Sequence, residues 1–307
     1  MTASDRPAVS VIGLGALGAP IALNLLQAGY PLTVHNRDPQ RQQPLVAAGA
    51  RPAAHPAAAA AACELLLVCV SDDAAVTAVL LGENGSDDTA ALAGLRPGAL
   101  VIDCSTISPA TSRRVAATLA ARGIGYLDAP VTGGTEGARA GRLSVLVGGS
   151  GRDLERARPL LEVIGNRLTH FGPVGAGQEA KAVNQVLVAG SYAAVAEALA
   201  LAERLGLPRQ QLVEALKGGA AGSWALEHRS QSMIDDHYPL GFRLALHRKD
   251  LAIALGAAAA NGLALPVSAQ VAEMEDILIA DGHGDQDVSV LARWFQEPPL
   301  RETALRD

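Results

Sequence analysis

The chain has 307 residues, 49% of them apolar but only 3% aromatic, and a net charge of −6. That length accommodates two domains whose cores must be built from Ala, Leu and Val. The mild acidity and the lack of any Lys or Arg block exclude a phosphate-tracking nucleic-acid surface. Cys63, Cys69 and Cys104 share no metal-type spacing with histidines, so they read as reduced core residues and no metal is expected. Arg6 leads straight into the first apolar run, with no signal-peptide pattern, which makes a cytoplasmic protein the expectation. No apolar stretch reaches spanning length without a Pro, Gly or charge, so no membrane partner is expected.

The first half alternates between strand and helix periods. Strand-like runs occur at Val9–Ile12, Leu32–His35, Leu65–Val70, Leu100–Asp103 and Gly125–Leu127. Helix-like runs at Leu17–Ala28, Pro39–Ala48, Asp73–Leu81 and Pro109–Ala121 lie between them, and Ala57–Ala62 reads as a short helix. Leu143–Val147 and Leu168–Phe171 look like added strands around a helix at Arg152–Ile164. The alternation predicts an α/β fold, a doubly wound parallel sheet over residues 1–172. After Gly172-Pro173 the pattern becomes helical: one long helix over Glu179–Leu205, then segments near Arg209–Lys217, Lys249–Asn261, Pro266–Ala280 and Asp287–Trp294. Residues 173–307 are therefore expected to form an all-helical domain, with the tail Glu297–Asp307 loose or packed on a partner.

Gly13, Gly15 and Gly18, in Gly13-Leu14-Gly15-Ala16-Leu17-Gly18, stand between the first strand and the first helix. In that context the first glycine permits a tight turn and the second lets a pyrophosphate approach the backbone. The third lets helix and strand pack closely, and the helix N-terminus faces the phosphates. The second strand ends His35-Asn36-Arg37-Asp38, with Asn36 where an NAD site usually places an acid. A neutral amide does not repel a 2′-phosphate, and Arg37 can pair with it, a contact worth about 1.5–3 kcal/mol. This favours NADP(H) over NAD(H), although Asp38 could hold Arg37 or mimic the acid of an NAD site, and the tetrapeptide is also good turn chemistry.

Three segments offer chemistry. Lys181, Asn184 and Gln185 share one face near the start of the long helix. A helical lysine is ordinarily solvated, but here Ala180, Ala182, Val183 and Val186 suggest a buried segment, and the helix end should ease deprotonation of the ammonium. Thr132-Gly133-Gly134 after the fifth strand is a glycine turn whose N–H groups, with the Thr132 hydroxyl, could cradle a carboxylate. Asp103-Cys104-Ser105-Thr106 ends the fourth strand, on the edge where ligands sit in open α/β sheets.

Taken together, these segments resemble the β-hydroxyacid dehydrogenases, the group of 3-hydroxyisobutyrate dehydrogenase and the semialdehyde reductases. The resemblance extends from the first strand to about Phe295. It is carried by the glycine loop, Asp103-Cys104-Ser105-Thr106-Ile107-Ser108-Pro109, Asp128-Ala129-Pro130-Val131-Thr132-Gly133-Gly134, Gly175–Gln185 and Lys249-Asp250-Leu251. It implies that Lys181 is the catalytic lysine and Asn184 a substrate-holding amide, with Gln185 beside it. Thr132, Gly133 and Gly134 would bind the substrate carboxylate, and Phe242 and Asp250 would close the pocket. Thr106 would meet the nicotinamide, Lys249 would contact the cofactor, and Val70, Ser71 and Asp72 would line it. Gly13, Leu14, Gly15, Ala16, Leu17 and Gly18, with Asn36 and Arg37, would hold the dinucleotide. Leu17 stands where the family commonly has Met, Gln185 where it often has Asn, and Asp72-Asp73 where it more often has apolar residues or proline.

The implied reaction interconverts a small 3-hydroxy or 2-hydroxy acid and its semialdehyde or keto acid by hydride transfer, with Lys181 as acid and base. Substrate is expected in a cleft between domains whose closure excludes water. Imine reduction shares the architecture but generally another residue at the lysine position. Decarboxylating dehydrogenation of a phosphorylated sugar acid would call for extra cationic residues, and a non-catalytic relative would be expected to lose the lysine or the Thr-Gly-Gly turn. The Ala-rich helical half suggests a homodimer or homotetramer. His228, His237 and His247 lack ligand spacing, and Trp224 reads equally as core or pocket wall.

Overall fold

The computed structural model describes residues 6–82 and 87–296, so the tail Glu297–Asp307 lies outside the described residues. The chain divides into two compact units, Met1–Lys181 and Ala182–Asp307.

In the first unit the strands are β1 (Val9–Ile12), β2 (Leu32–His35), β3 (Arg51–Pro52), β4 (Leu65–Val68), β5 (Leu100–Asp103), β6 (Gly125–Asp128), β7 (Val131–Thr132), β8 (Leu143–Gly148) and β9 (Gly165–Gly172). The helices are α1 (Gly18–Gln27), α2 (Gln43–Ala47), α3 (Pro56–Ala61), α4 (Asp73–Leu81), α5 (Ala91–Gly94), α6 (Pro109–Ala120), α7 (Gly134–Arg139) and α8 (Gly151–Ile164). One sheet runs β3-β2-β1-β4-β5-β6-β8-β7, with β9 on β8. β1 to β6 are parallel, and Val9 pairs with both Leu32 and Leu65. The strand order reverses between β1 and β4, which opens a crevice outside their carboxyl ends.

The sheet is not parallel throughout. β8 runs antiparallel to β6 and β7, and β9 follows β8 in parallel. The chain from 129 to 142 forms β7 and α7, leaving too little for the crossover that a parallel return needs.

β1, β2, β4 and β5 are buried at every position because helices cover both faces. Alternate side chains divide between two cores. Leu65, Leu67 and Leu100 pack with Ile21 and Leu25 of α1 and Leu160 of α8. Leu66, Val68 and Val101 meet Val76 of α4 and Val115 and Leu119 of α6. Each such side chain contributes about 1.5–3 kcal/mol on burial.

The second unit contains most of α9 (Ala176–Arg204), then α10 (Arg209–Leu216), α11 (Trp224–Ile234), α12 (Leu244–Ala260), α13 (Pro266–Leu278) and α14 (Ala292–Gln296). Its core joins Ala189, Tyr192 and Leu199 of α9 to Leu244, Leu251 and Val271. By length and mean hydropathy α9 could cross a membrane, yet that inner face is committed to the core. Its opposite face is open, and Val183, expected to be buried, is 64% exposed.

Two expected helices are broken. Asp38 accepts from Gln40 N–H and tightens residues 39–42 into a 3-10 turn before α2. Asp287 does the same through Ser289 N–H, so a 3-10 turn precedes α14. α11 is a helix that the sequence pattern did not announce, capped by Ser223 accepting from Leu226 N–H. α12 opens at Leu244, well ahead of Lys249.

Candidate active site

The glycine loop crosses the carboxyl end of β1, and its three glycines are under different constraints. Gly13 has φ +94°, and a Cβ there would lie 2.2 Å from the Cys69 carbonyl oxygen. A Cβ on Gly18 would lie 1.9 Å from the Gly13 carbonyl oxygen. Around Gly15 a Cβ would meet nothing within 4 Å, so this one position has its backbone clear for a ligand. Tight turn, open approach and close packing are the three features a pyrophosphate-binding loop requires, and the residues present fit a dinucleotide.

Asn36 builds this loop from the β2 side. Its Oδ1 accepts from Leu14 N–H at 2.9 Å, and its Nδ2 donates to the Asp38 carbonyl. Asp38 does not hold Arg37, since its carboxylate accepts from Gln40 N–H and lies 3.9 Å from Arg41. Arg37 is exposed beside the loop.

The loops after β4 and β5 are tied together. Ser105 Oγ accepts from Val70 N–H at 2.9 Å. Asp72 caps α4 by accepting from Ala75 N–H and takes the Ser71 hydroxyl. Asp73 accepts from both Ser108 N–H and its hydroxyl, joining the starts of α4 and α6. Of the two acids that set this loop apart from the family pattern, Asp72 is the cap of α4 and Asp73 ties α4 to Ser108, the cap of α6.

Thr106 sits between two clamped peptides. Gln178 of α9 donates through Nε2 to the Ser105 carbonyl at 2.8 Å, and its Oε1 accepts from Ile107 N–H at 3.2 Å. Gln178 was absent from the sequence-based site, although it stands three residues before Lys181, a spacing that marks a shared helical face.

Asp103 and Asp128 end neighbouring strands in register. Burial pushes the Asp103 carboxyl up to about 6, against hydrogen bonds from Ser105 and Tyr126 that favour the charged form. Burial also raises Asp128, opposed by N–H groups of Gly175 and Gln178 that it accepts at 2.8 and 3.0 Å. Asp128 therefore caps α9, so the positive helix end expected to ease deprotonation of Lys181 carries a carboxylate. Burial pushes the Cys69 thiol up to about 12 and Cys104 well above its usual range, so neither is a nucleophile at neutral pH. No cluster of His, Cys, Asp or Glu able to hold a metal occurs among the described residues.

Lys181 is buried, 6% exposed, with Nζ donating to the Val131 carbonyl at 2.9 Å. Val131-Thr132 forms β7, pairing with Ser144 and Val145 of β8, so the turn begins from a strand. Gly133 (φ +130°) and Gly134 (φ +64°) then turn the chain into α7. The ammonium and the Thr132–Gly134 turn are thus neighbours in one unit.

In the second unit, Asn184 Nδ2 donates to Gln185 Oε1, and Gln185 Nε2 donates to Asp250 Oδ2, both at 2.7 Å. Lys249 Nζ pairs with Asp250 Oδ1 at 2.8 Å. Gln185 is 1% exposed and engaged at both ends of its amide, so the residue holds Asn184 rather than offering that amide to a ligand. The backbone of Phe242 is fixed by Asp287, whose Oδ2 accepts its N–H at 2.8 Å, and its ring stands edge-on to buried His247. Trp224 is not a core residue: it is 45% exposed and stacked on His228.

Residues 8–172 match the family model described as the NAD binding domain of 6-phosphogluconate dehydrogenase. Residues 175–295 match that described as NAD-binding of NADP-dependent 3-hydroxyisobutyrate dehydrogenase. An NAD-dependent L-serine dehydrogenase of Pseudomonas aeruginosa is 38% identical over 94% of this chain and 97% of its own. A 2-hydroxy-3-oxopropionate reductase of Escherichia coli is 39% identical over 92% of this chain and 94% of its own. The crystal structure of a 3-hydroxyisobutyrate dehydrogenase from Salmonella typhimurium superposes with a TM-score of 0.85 at 31% identity, covering 94% of this chain and 99% of that one. With both halves matched and relatives aligned almost end to end, this chain belongs to the β-hydroxyacid dehydrogenase family.

Proposed function

We propose that the protein is an NADP(H)-preferring oxidoreductase that interconverts a small hydroxy acid and its semialdehyde or keto acid. The observation that carries this reading is the Lys181 ammonium, buried and bonded to Val131 directly beside the Thr132–Gly134 turn. Such an arrangement suits a substrate with a carboxylate and a reacting oxygen a few atoms apart. The Gly13–Gly18 loop, Asn36, Arg37 and the Thr106 loop are the residues to hold the dinucleotide. When bound, the nicotinamide supplies the hydride to the carbonyl carbon or accepts it from the alcohol.

The protein's own contribution is binding, geometry and a proton. The turn at Thr132, Gly133 and Gly134 fixes the carboxylate through backbone N–H groups. Lys181 gives a proton to the oxygen as negative charge develops there, and takes it back in the oxidative direction. Asn184, three residues further along α9, orients that oxygen. Its amide is held by Gln185, whose own orientation follows from Asp250 accepting only.

The serine dehydrogenase relative is NAD-dependent by name, so the preference for NADP(H) rests on the end of β2 rather than on kinship. There Asn36 places no charge near the ribose, and Arg37 is not engaged by Asp38. The open Val183 and Leu187 on α9 support a homo-oligomer.

The test is NADPH oxidation with glyoxylate, succinic semialdehyde and tartronate semialdehyde, run beside Lys181→Ala. The variant should lose turnover by about 100-fold or more, the span of general acid catalysis, while binding nucleotide as before. Near-normal kcat in Lys181→Ala would overturn the assignment.

A further inference from the structure

We propose that Gln178 is a positioning residue that keeps Thr106 and Lys181 in one register. The inference rests on the reading of those two residues given above. Gln178 is 1% exposed, and its side-chain amide bonds to backbone at both ends: Nε2 to the Ser105 carbonyl, Oε1 to Ile107 N–H. These groups flank Thr106 on either side, so the loop can neither slide along α9 nor rotate about its own axis without losing one of them. The Gln178 N–H is itself held by Asp128 at the end of β6. Lys181 follows one helical turn later and is held by the Val131 carbonyl. The loop read as meeting the nicotinamide and the amine read as meeting the oxygen are therefore both referenced to the first turns of α9, with Gln178 as the joint.

Chemically the joint is direction-sensitive. The Ser105 carbonyl accepts only and Ile107 N–H donates only, so the residue between them must donate at one end and accept at the other. A carboxylate satisfies only Ile107, and an apolar side chain satisfies neither. Hydride and proton transfer to adjacent atoms tolerate little misplacement, because a displacement of about 1 Å can cost about 100-fold.

The experiment uses Gln178→Glu in the full-length protein. Nucleotide affinity is measured by titration and backbone amide exchange over residues 104–109 without cofactor. kcat per nucleotide-binding site and the primary deuterium isotope effect from cofactor deuterated at the transferring position follow. Nucleotide Kd should stay within about threefold of the parent. Exchange at Ile107 should accelerate, kcat per site should fall by about tenfold or more, and the isotope effect should change. Lowering the pH should restore part of kcat, since the introduced carboxyl, once protonated, can again donate to the Ser105 carbonyl. A purely structural role would lower the number of binding-competent sites but leave kcat per site and the isotope effect at parental values, and that result overturns the proposal. Should Gln178→Glu fail to fold, Gln178→Asn keeps both polar ends one methylene short and is judged by the same readouts. Lys181→Ala separates the two readings: if it is inactive while the Gln178 variants are normal per site, only this inference fails, whereas an active Lys181→Ala removes the reading beneath it.

Discussion

Gly13, Gly15 and Gly18 make opposite predictions for stability and binding, which allows the nucleotide-loop argument to be tested position by position. Alanine at Gly18 would put a methyl 1.9 Å from the Gly13 carbonyl oxygen, a backbone atom that cannot retreat without shifting the β1 turn. Overpacking of this kind costs about 1–3 kcal/mol, and the absence of a flexible neighbour places Gly18→Ala at the upper end. Gly13→Ala adds about 1–2 kcal/mol for a side chain at φ +94° to a comparable clash with Cys69. Gly15→Ala meets no atom within 4 Å and leaves φ in the ordinary region. Its stability should be unchanged or raised by about 0.4–1 kcal/mol through the unfolded chain. The same methyl stands where phosphate oxygens must come close to backbone N–H groups, so NADPH affinity should drop by about tenfold, roughly 1.4 kcal/mol. Urea unfolding without nucleotide and fluorescence titration with NADPH measure the two quantities separately. A Gly15→Ala protein that binds NADPH as tightly as the parent would refute the open-approach argument, and a Gly18→Ala protein of parental stability would refute the close-packing one.

Two other perturbations address cofactor choice and pH. Arg37→Ala should weaken NADPH by about 10–100-fold, the worth of a charge-assisted contact, and change NADH little; equal losses for both nucleotides would remove the case for NADP(H). Asp103 is held near 6 when folded against an ordinary 3.8, so the folded state binds the extra proton between about pH 4 and 6. Its stabilising contribution is full below about pH 4 and is lost as pH rises through about 6, amounting to about 3 kcal/mol. Chemical denaturation across that window should therefore show Asp103→Asn gaining on the parent as pH rises, and a pH-independent difference between the two would contradict the burial argument.

Much of the first unit could be read from sequence because its signals are local. Leu-Leu-Leu-Val in β4 has no polar face, which a short strand can have only when covered on both sides. The glycine loop was legible for a similar reason, its neighbours in sequence being its neighbours in space. β7 was not: Val131-Thr132 becomes a strand only because Val145 and Ser144 lie alongside. The antiparallel course of β8 was equally hidden, since a strand's pattern carries no direction. On α9 the apolar residues gave the helix but not its buried side, and Val183 is open where packing was expected. Lys181 and Asn184 could be named from a motif, but what holds them could not. Gln178 reaches Ser105 across 73 residues and Gln185 reaches Asp250 across 65, and no periodicity reports such contacts.

The distribution of charge in the first unit also follows from what the site must bind. A carboxylate-bearing substrate and a dinucleotide are both anions, so acids near the strand ends are a liability unless their charge is taken up locally. Asp103 gives its oxygens to Ser105 N–H and the Tyr126 hydroxyl, and Asp128 gives its own to Gly175 and Gln178. Asp72 and Asp73 are absorbed by α4 and the start of α6. Each acid thus faces donors belonging to the scaffold and converts its charge into the placement of a loop or helix. Lys181 differs in kind: its amine is buried and donates to the Val131 carbonyl, an acceptor that orients it toward the Thr132–Gly134 turn. With these four acids committed to loops and helix starts, an acidic protein can still present a site for anions.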